Sequence, residues 1–273
     1  MRKLLLVIIA AVAIAASFCT VVTAYRHQAR NDLARAEALE ADLQKLRVGT
    51  SDYKAARVIA AKFGTIPFEG GYGGIPDCTD GYFERCMYMI PSNHNQRMHE
   101  LVVRHPFLHH LGLHDWSGNA QIYIENGIVQ HYFFLILYKT SDGHSRGLAA
   151  EEDETLPKYR AVQARMSNSY SVERNDGAMD DRPNNLAFFL ESSLTPAANP
   201  TERQRAWHFE FSCLSRQQGC GEICEVMPDA WRDFYMQRGH FDVEKYGSAY
   251  LFCAKPPMLR TSSAHATDSV PTR

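Results

Sequence analysis

His94, His99, His105, His109, His110 and His114 crowd into one short stretch, with Asp115 directly after it. Imidazole is the commonest side-chain ligand for a transition metal, and two rings four residues apart share one face of a helix. Pro106 suits the first turn of such a helix, which would set His105 and His109 side by side. His114 or Asp115 would complete three protein ligands, and a fourth position left to water is the arrangement of a hydrolytic zinc centre. The candidate metal ligands are therefore His105, His109 and His114, with zinc as the implied cofactor. Two features weigh against hydrolysis. No His-Glu-x-x-His is present, and no glutamate sits where a general base is expected. Histidine also serves as an ordinary surface residue beside apolar neighbours such as Leu101, Val103, Phe107 and Leu108.

A second pair lies far along the chain. Trp207, Phe209, Phe211 and Cys213 alternate with His208, Glu210 and Ser212, which predicts a strand half-buried on its aromatic side. His208 and Glu210 would share the other face, close enough to pass a proton, although a plain solvated face is the better explanation of them. The remaining motifs dissolve on inspection. Ser51-Asp-Tyr-Lys54 has the Ser-x-x-Lys spacing of penicillin-binding enzymes without the companion Ser-Asp-Asn or Lys-Thr-Gly. The glycines of residues 64–81 lack the Lys-Ser/Thr of a phosphate-binding loop and read as a plain Gly/Pro loop. Asp176, Asp180 and Asp181 do not have the spacing of a calcium-binding loop.

The elements that must position these residues begin with Leu4 to Ala24, an uncharged apolar run preceded by Arg2 and Lys3. A bilayer core needs about 20 such residues. The run is longer than the apolar region of a cleavable signal peptide, although Val22-Thr23-Ala24 would pass as a cleavage site. Phe18 stands where a lipoprotein signal before Cys19 wants a small residue. Lysine and arginine nearly balance on the two sides, so charge alone does not orient the segment. Cysteine does. Beyond Cys19, the six remaining are Cys78, Cys86, Cys213, Cys220, Cys224 and Cys253. An even set behind a membrane-targeting segment predicts disulfides and an oxidising compartment. The local pairs Cys78 with Cys86 and Cys213 with Cys220 are the first expected.

The predicted architecture is thus α+β. Residues 1–25 form a membrane anchor with a short cytoplasmic N-terminus, and residues 26–64 a helical stalk. Residues 65–255 form a disulfide-stabilised extracytoplasmic domain with an antiparallel sheet, and residues 256–273 a disordered tail. Ala36, Leu39, Leu43 and Leu46 keep a 3-4-3 spacing, suited either to a coiled-coil homodimer or to packing on the chain's own domain. Asn126-Gly127 predicts a type I′ hairpin between Ala120–Glu125 and Ile128–Tyr138, with Glu125 opposite Ile128, Ile124 opposite Val129 and Ile122 opposite His131. That register puts Ala120, Ile122, Ile124, Val129, His131, Phe133, Leu135 and Leu137 on one face. Residues 140–158 read as a polar surface loop, and residues 160–172 and 186–190 as strands. Pro228 opens a short helix. The formal net charge of −2 gives no electrostatic reason for a nucleic-acid partner. The expected role is a single-pass membrane protein, periplasmic if bacterial. Its ectodomain is expected to bind an envelope partner or to serve a structural role there without catalysis, metal-dependent hydrolysis being the alternative.

Overall fold

The computed structural model describes residues 2–66, 75–78, 84–92, 116–139, 145–153, 160–167, 187–216 and 219–238. Helix α1 runs without interruption from Arg2 to Leu43. Its first part is apolar and bare: Leu4, Ile9, Ile14, Phe18 and Val21 are 47–71% exposed. The helix is long and apolar enough to cross a membrane. Only residues up to Ala24 suit the hydrocarbon, because Arg26, Arg30 and Asp32 follow. Beyond them the same helix enters the core. Ala36, Leu39, Leu43 and Leu46 are buried within the chain, so the apolar stripe on which a coiled-coil seam would form is covered by the chain's own domain.

Helix α2, Tyr53–Phe63, begins where the Asp52 carboxylate accepts the Ala55 N–H and ends at Gly64, whose φ of 71° suits glycine. It buries Ala56, Ile59, Ala60 and Phe63. Arg35 of α1 ties α2 to the sheet by donating to the carbonyls of Phe63 and Pro91.

Six strands form one sheet: β1 Arg85–Pro91, β2 Trp116–Glu125, β3 Ile128–Lys139, β4 Ser145–Asp153, β5 Arg160–Ser167 and β6 Ala187–Leu194. Their order is β1-β2-β3-β4-β6-β5. All neighbours are antiparallel except β4 and β6, which run parallel. The sheet is therefore mixed where the sequence predicts an antiparallel one. Residues 140–158, predicted as a surface loop, contain β4. Its apolar centre, Leu148-Ala149-Ala150, is too short to stand out between polar neighbours, yet all three are buried.

The β2–β3 hairpin forms through Asn126 at φ 52° and Gly127 at φ 78°. Glu125 faces Ile128 and Ile124 faces Val129, but Tyr123 then faces His131 and Ile122 faces Tyr132. The register slips by one residue at Gln130, a β-bulge. The predicted Ile122–His131 pairing is corrected, and with it the face. Val129, Tyr132, Phe134, Ile136 and Tyr138 form the core side, while His131, Phe133, Leu135 and Leu137 lie on the opposite side, where Leu135 is buried as well. Apolar side chains on both faces of β3 conceal this slip from a period-two reading.

Three short helices, α3 Pro200–Ala206, α4 Ile223–Val226 and α5 Pro228–Arg238, complete the described chain. Residues 207–214 are not a strand. They pass through an irregular segment into a 3-10 turn, Phe211–Ser215. A strand needs a ladder partner, and here the amides go elsewhere: His208 N–H to the Arg205 carbonyl, Glu210 N–H to the Val226 carbonyl. The inward side chains still match the alternation, since Trp207, Phe211 and Cys213 are buried. Trp207 meets Tyr132 at 5.3 Å between ring centroids, and Phe134 meets Phe209 edge-on at 5.3 Å.

Cys78–Cys86 and Cys213–Cys220 are disulfides, and Cys224 is disulfide-bonded as well. Cys19 is free and exposed on α1. Cys253 lies outside the described residues.

Candidate functional site: carboxylates that hold histidines

His105, His109 and His114 lie outside the described residues, as do His94, His99, His110 and Asp115. Among the described residues no group of three or more His, Cys, Asp or Glu is placed to hold a metal ion.

His208 and Glu210, by contrast, do come together. Their i, i+2 spacing survives the loss of the strand because the irregular segment is also extended at Glu210. The Glu210 carboxylate accepts from His208 Nε2 at 3.2 Å. A residue that spacing could not supply completes the set. Asp229, in the first turn of α5, accepts from His208 Nδ1 at 2.8 Å and from Arg232 at 2.5 Å. Partial burial disfavours the charged ring, but the two carboxylates outweigh it and raise the His208 pKa above its usual value. With carboxylates at both nitrogens, the imidazolium is the species this geometry holds. It serves as a fixed cation, and it lacks the free ring nitrogen that a general base needs.

Glu40 of α1 lies within electrostatic reach of this ring. Burial pushes its carboxyl up to about 7, against the opposing effects of the Gln44 side chain and of His208. Gln44 donates to the Glu40 carboxyl and, at 3.4 Å, to the Trp207 carbonyl. The end of the long helix is thereby joined to the segment that carries His208.

A second histidine–carboxylate pair sits on the other side of the sheet. Glu151 of β4 accepts from His131 Nε2 at 3.3 Å and from the Ser193 hydroxyl at 2.5 Å. Burial would raise this carboxyl, but hydrogen bonds with His131, Ser193 and the Glu191 carboxyl, together with the His131 charge, prevail and hold it at about 2. The serine proton is committed to the glutamate, so the trio lacks the serine-to-histidine hydrogen bond of an activated nucleophile. The sequence places His131 on the apolar face. The bulge at Gln130 is what turns it toward Glu151.

A third polar group lies inside the core. Glu152 is fully buried and accepts from the Tyr132 hydroxyl at 2.7 Å and from both terminal nitrogens of Arg203. Burial, then the Glu152 charge, raise the Tyr132 pKa well beyond its usual value. Arg203 lies on α3, so this fork binds that helix to the sheet.

These three groups can hold charge and protons in place, and each spends its donors on its own acceptors. Comparison with protein-family models, with characterised proteins and with solved structures finds no match.

Proposed function

We propose that the chain is a single-pass membrane protein. It holds a disulfide-braced α+β domain on the extracytoplasmic side and acts there by binding an envelope protein rather than by catalysis. The observation that carries the reading is the continuity of α1: its bare apolar part and its buried Ala36, Leu39 and Leu43 belong to one unbroken helix. A domain so joined is held close to the bilayer. Disulfides favour the oxidising side. Binding is supported by the His131 side of the sheet, where Gln121, Tyr123, His131 and Phe133 each keep part of their surface exposed beside the buried Met87 and Leu135. Tyr123 is braced there by Arg85, which donates to its hydroxyl at 2.7 Å. Rigid aromatic side chains with a polar tip are what protein interfaces favour.

Membrane-impermeant thiol labelling of intact cells, with and without prior reduction, tests the topology. Labelling of the domain cysteines only after reduction is expected, and free cytoplasmic thiols would overturn it. Photo-crosslinkers at Gln121 and Tyr123 test the binding face, where a discrete adduct with one envelope protein is expected. Metal content of residues 25–273, purified from an oxidising compartment without a histidine tag, tests the non-catalytic half. One equivalent of zinc lost in a His105→Ala/His109→Ala variant would overturn it.

A further inference from the structure

The junction between α1 and the Trp207–Glu210 segment concentrates ionisable groups that the binding role does not use. Glu40 faces it from α1 with the exposed Glu37 near it on the same helix, His208 and Glu210 from the segment itself, and Asp229 and Arg232 from α5. Arg205 of α3 pairs nearby with Asp233 of α5. Gln44 spans the junction, with its amide donating to both Glu40 and the Trp207 carbonyl. Trp207 itself is buried against Tyr132, so a shift of this segment is felt in the core.

We propose that this junction is a proton-operated latch: proton uptake at Glu40 and His208 closes it, and proton loss loosens the end of the membrane helix from the domain. The charge balance gives the reason. With Glu40 neutral and His208 cationic, His208 and Arg232 offset Glu210 and Asp229. With both protons gone, Glu40, Glu210 and Asp229 are negative, Glu37 adds to them, and among the described residues Arg232 is the cation bonded within the group. A half-buried site with uncompensated negative charge is unfavourable, and the repulsion acts between α1 on one side and α5 with its neighbouring segment on the other.

Both protons act in one direction. A carboxyl whose folded value is raised binds its proton more tightly in the folded chain, so Glu40 costs stability as pH climbs from the unfolded value, about 4.3, toward about 7. A histidine whose folded value is raised contributes fully below its unfolded value, about 6.5, and loses that contribution above its folded one. The latch is closed in mild acid and loosened in mild alkali.

The test uses the full chain in detergent micelles. Amide-exchange protection over residues 40–48, corrected for intrinsic rates, is compared at pH 5.5 and pH 8, alongside melting temperature. The wild type is expected to lose protection there, roughly tenfold, and to melt lower at pH 8. Glu40→Gln mimics the protonated carboxyl and is expected to keep most of that protection. His208→Gln is expected to lower protection at pH 5.5 and flatten the remaining dependence. Equal wild-type protection at both values, or a Glu40→Gln variant that loses as much as wild type, would overturn the latch. Should His208→Gln not fold, the isosteric Glu40→Gln comparison still decides.

Discussion

Arg203 reaches 51 residues back along the chain to place both terminal nitrogens on Glu152, a carboxylate with no exposure of its own. Such a pair is costly to break one partner at a time, because the survivor is left charged in the core. Arg203→Met is therefore expected to cost about 3–5 kcal/mol in urea unfolding. Arg203→Met with Glu152→Met should recover much of that loss, since the pair itself contributes less than its broken halves cost. Glu151 behaves in another way. Its carboxyl is held low, so the stability it contributes is complete above the unfolded value of about 4.3 and is lost as pH falls toward about 2. Glu151→Gln should flatten the acid limb of a melting-temperature profile. At this scale the His208–Glu210 pair is legible in the sequence, because two residues at i, i+2 need only an extended backbone to meet. Asp229 is not legible: its place beside His208 depends on the disulfide-closed turn and helix α4 between them. His131 is misread for a smaller reason, one extra residue at Gln130.

The elements divide along similar lines. Helix α2 and the hairpin turn carry their own punctuation, Asp52 with Gly64 and Asn126 with Gly127, so local chemistry fixes them. Strand β4 and the 207–214 segment are decided by neighbours instead. The first gains a ladder on both sides, with β3 and β6. The second has the alternation of a strand and, among the described residues, no strand to pair with. Where neighbours decide, packing is tight. A Cβ on Gly118 of β2 would run into Ser92 Oγ and would stand 2.6 Å from Ile136 Cδ1 and 2.7 Å from the Leu135 carbonyl. The backbone oxygen cannot swing aside, so Gly118→Ala is expected to cost about 2 kcal/mol or more, read as a shift in the urea midpoint with unchanged slope.

For the molecule as a whole, the boundary between the exposed apolar run and the domain does not fall at a linker. It falls inside α1, where exposure gives way to burial with no break in the helix. A chain beginning at residue 26 keeps Ala36, Leu39 and Leu43 and is expected to fold and stay in solution. A chain beginning at residue 44 loses two fully buried leucines, each worth about 2–5 kcal/mol, and is expected to expose its core and aggregate. Size-exclusion profiles and near-ultraviolet circular dichroism of the two truncations separate these outcomes. From Ala24 to Leu43 the helix rises about 28 Å at 1.5 Å per residue. A domain on a floppy tether sweeps a hemisphere and meets partners at many heights. Under the proposed topology this one is a ruler: with Leu4 to Ala24 in the bilayer, the domain would be held at a set altitude, and a partner would have to present its own surface in that same thin layer to be met at all.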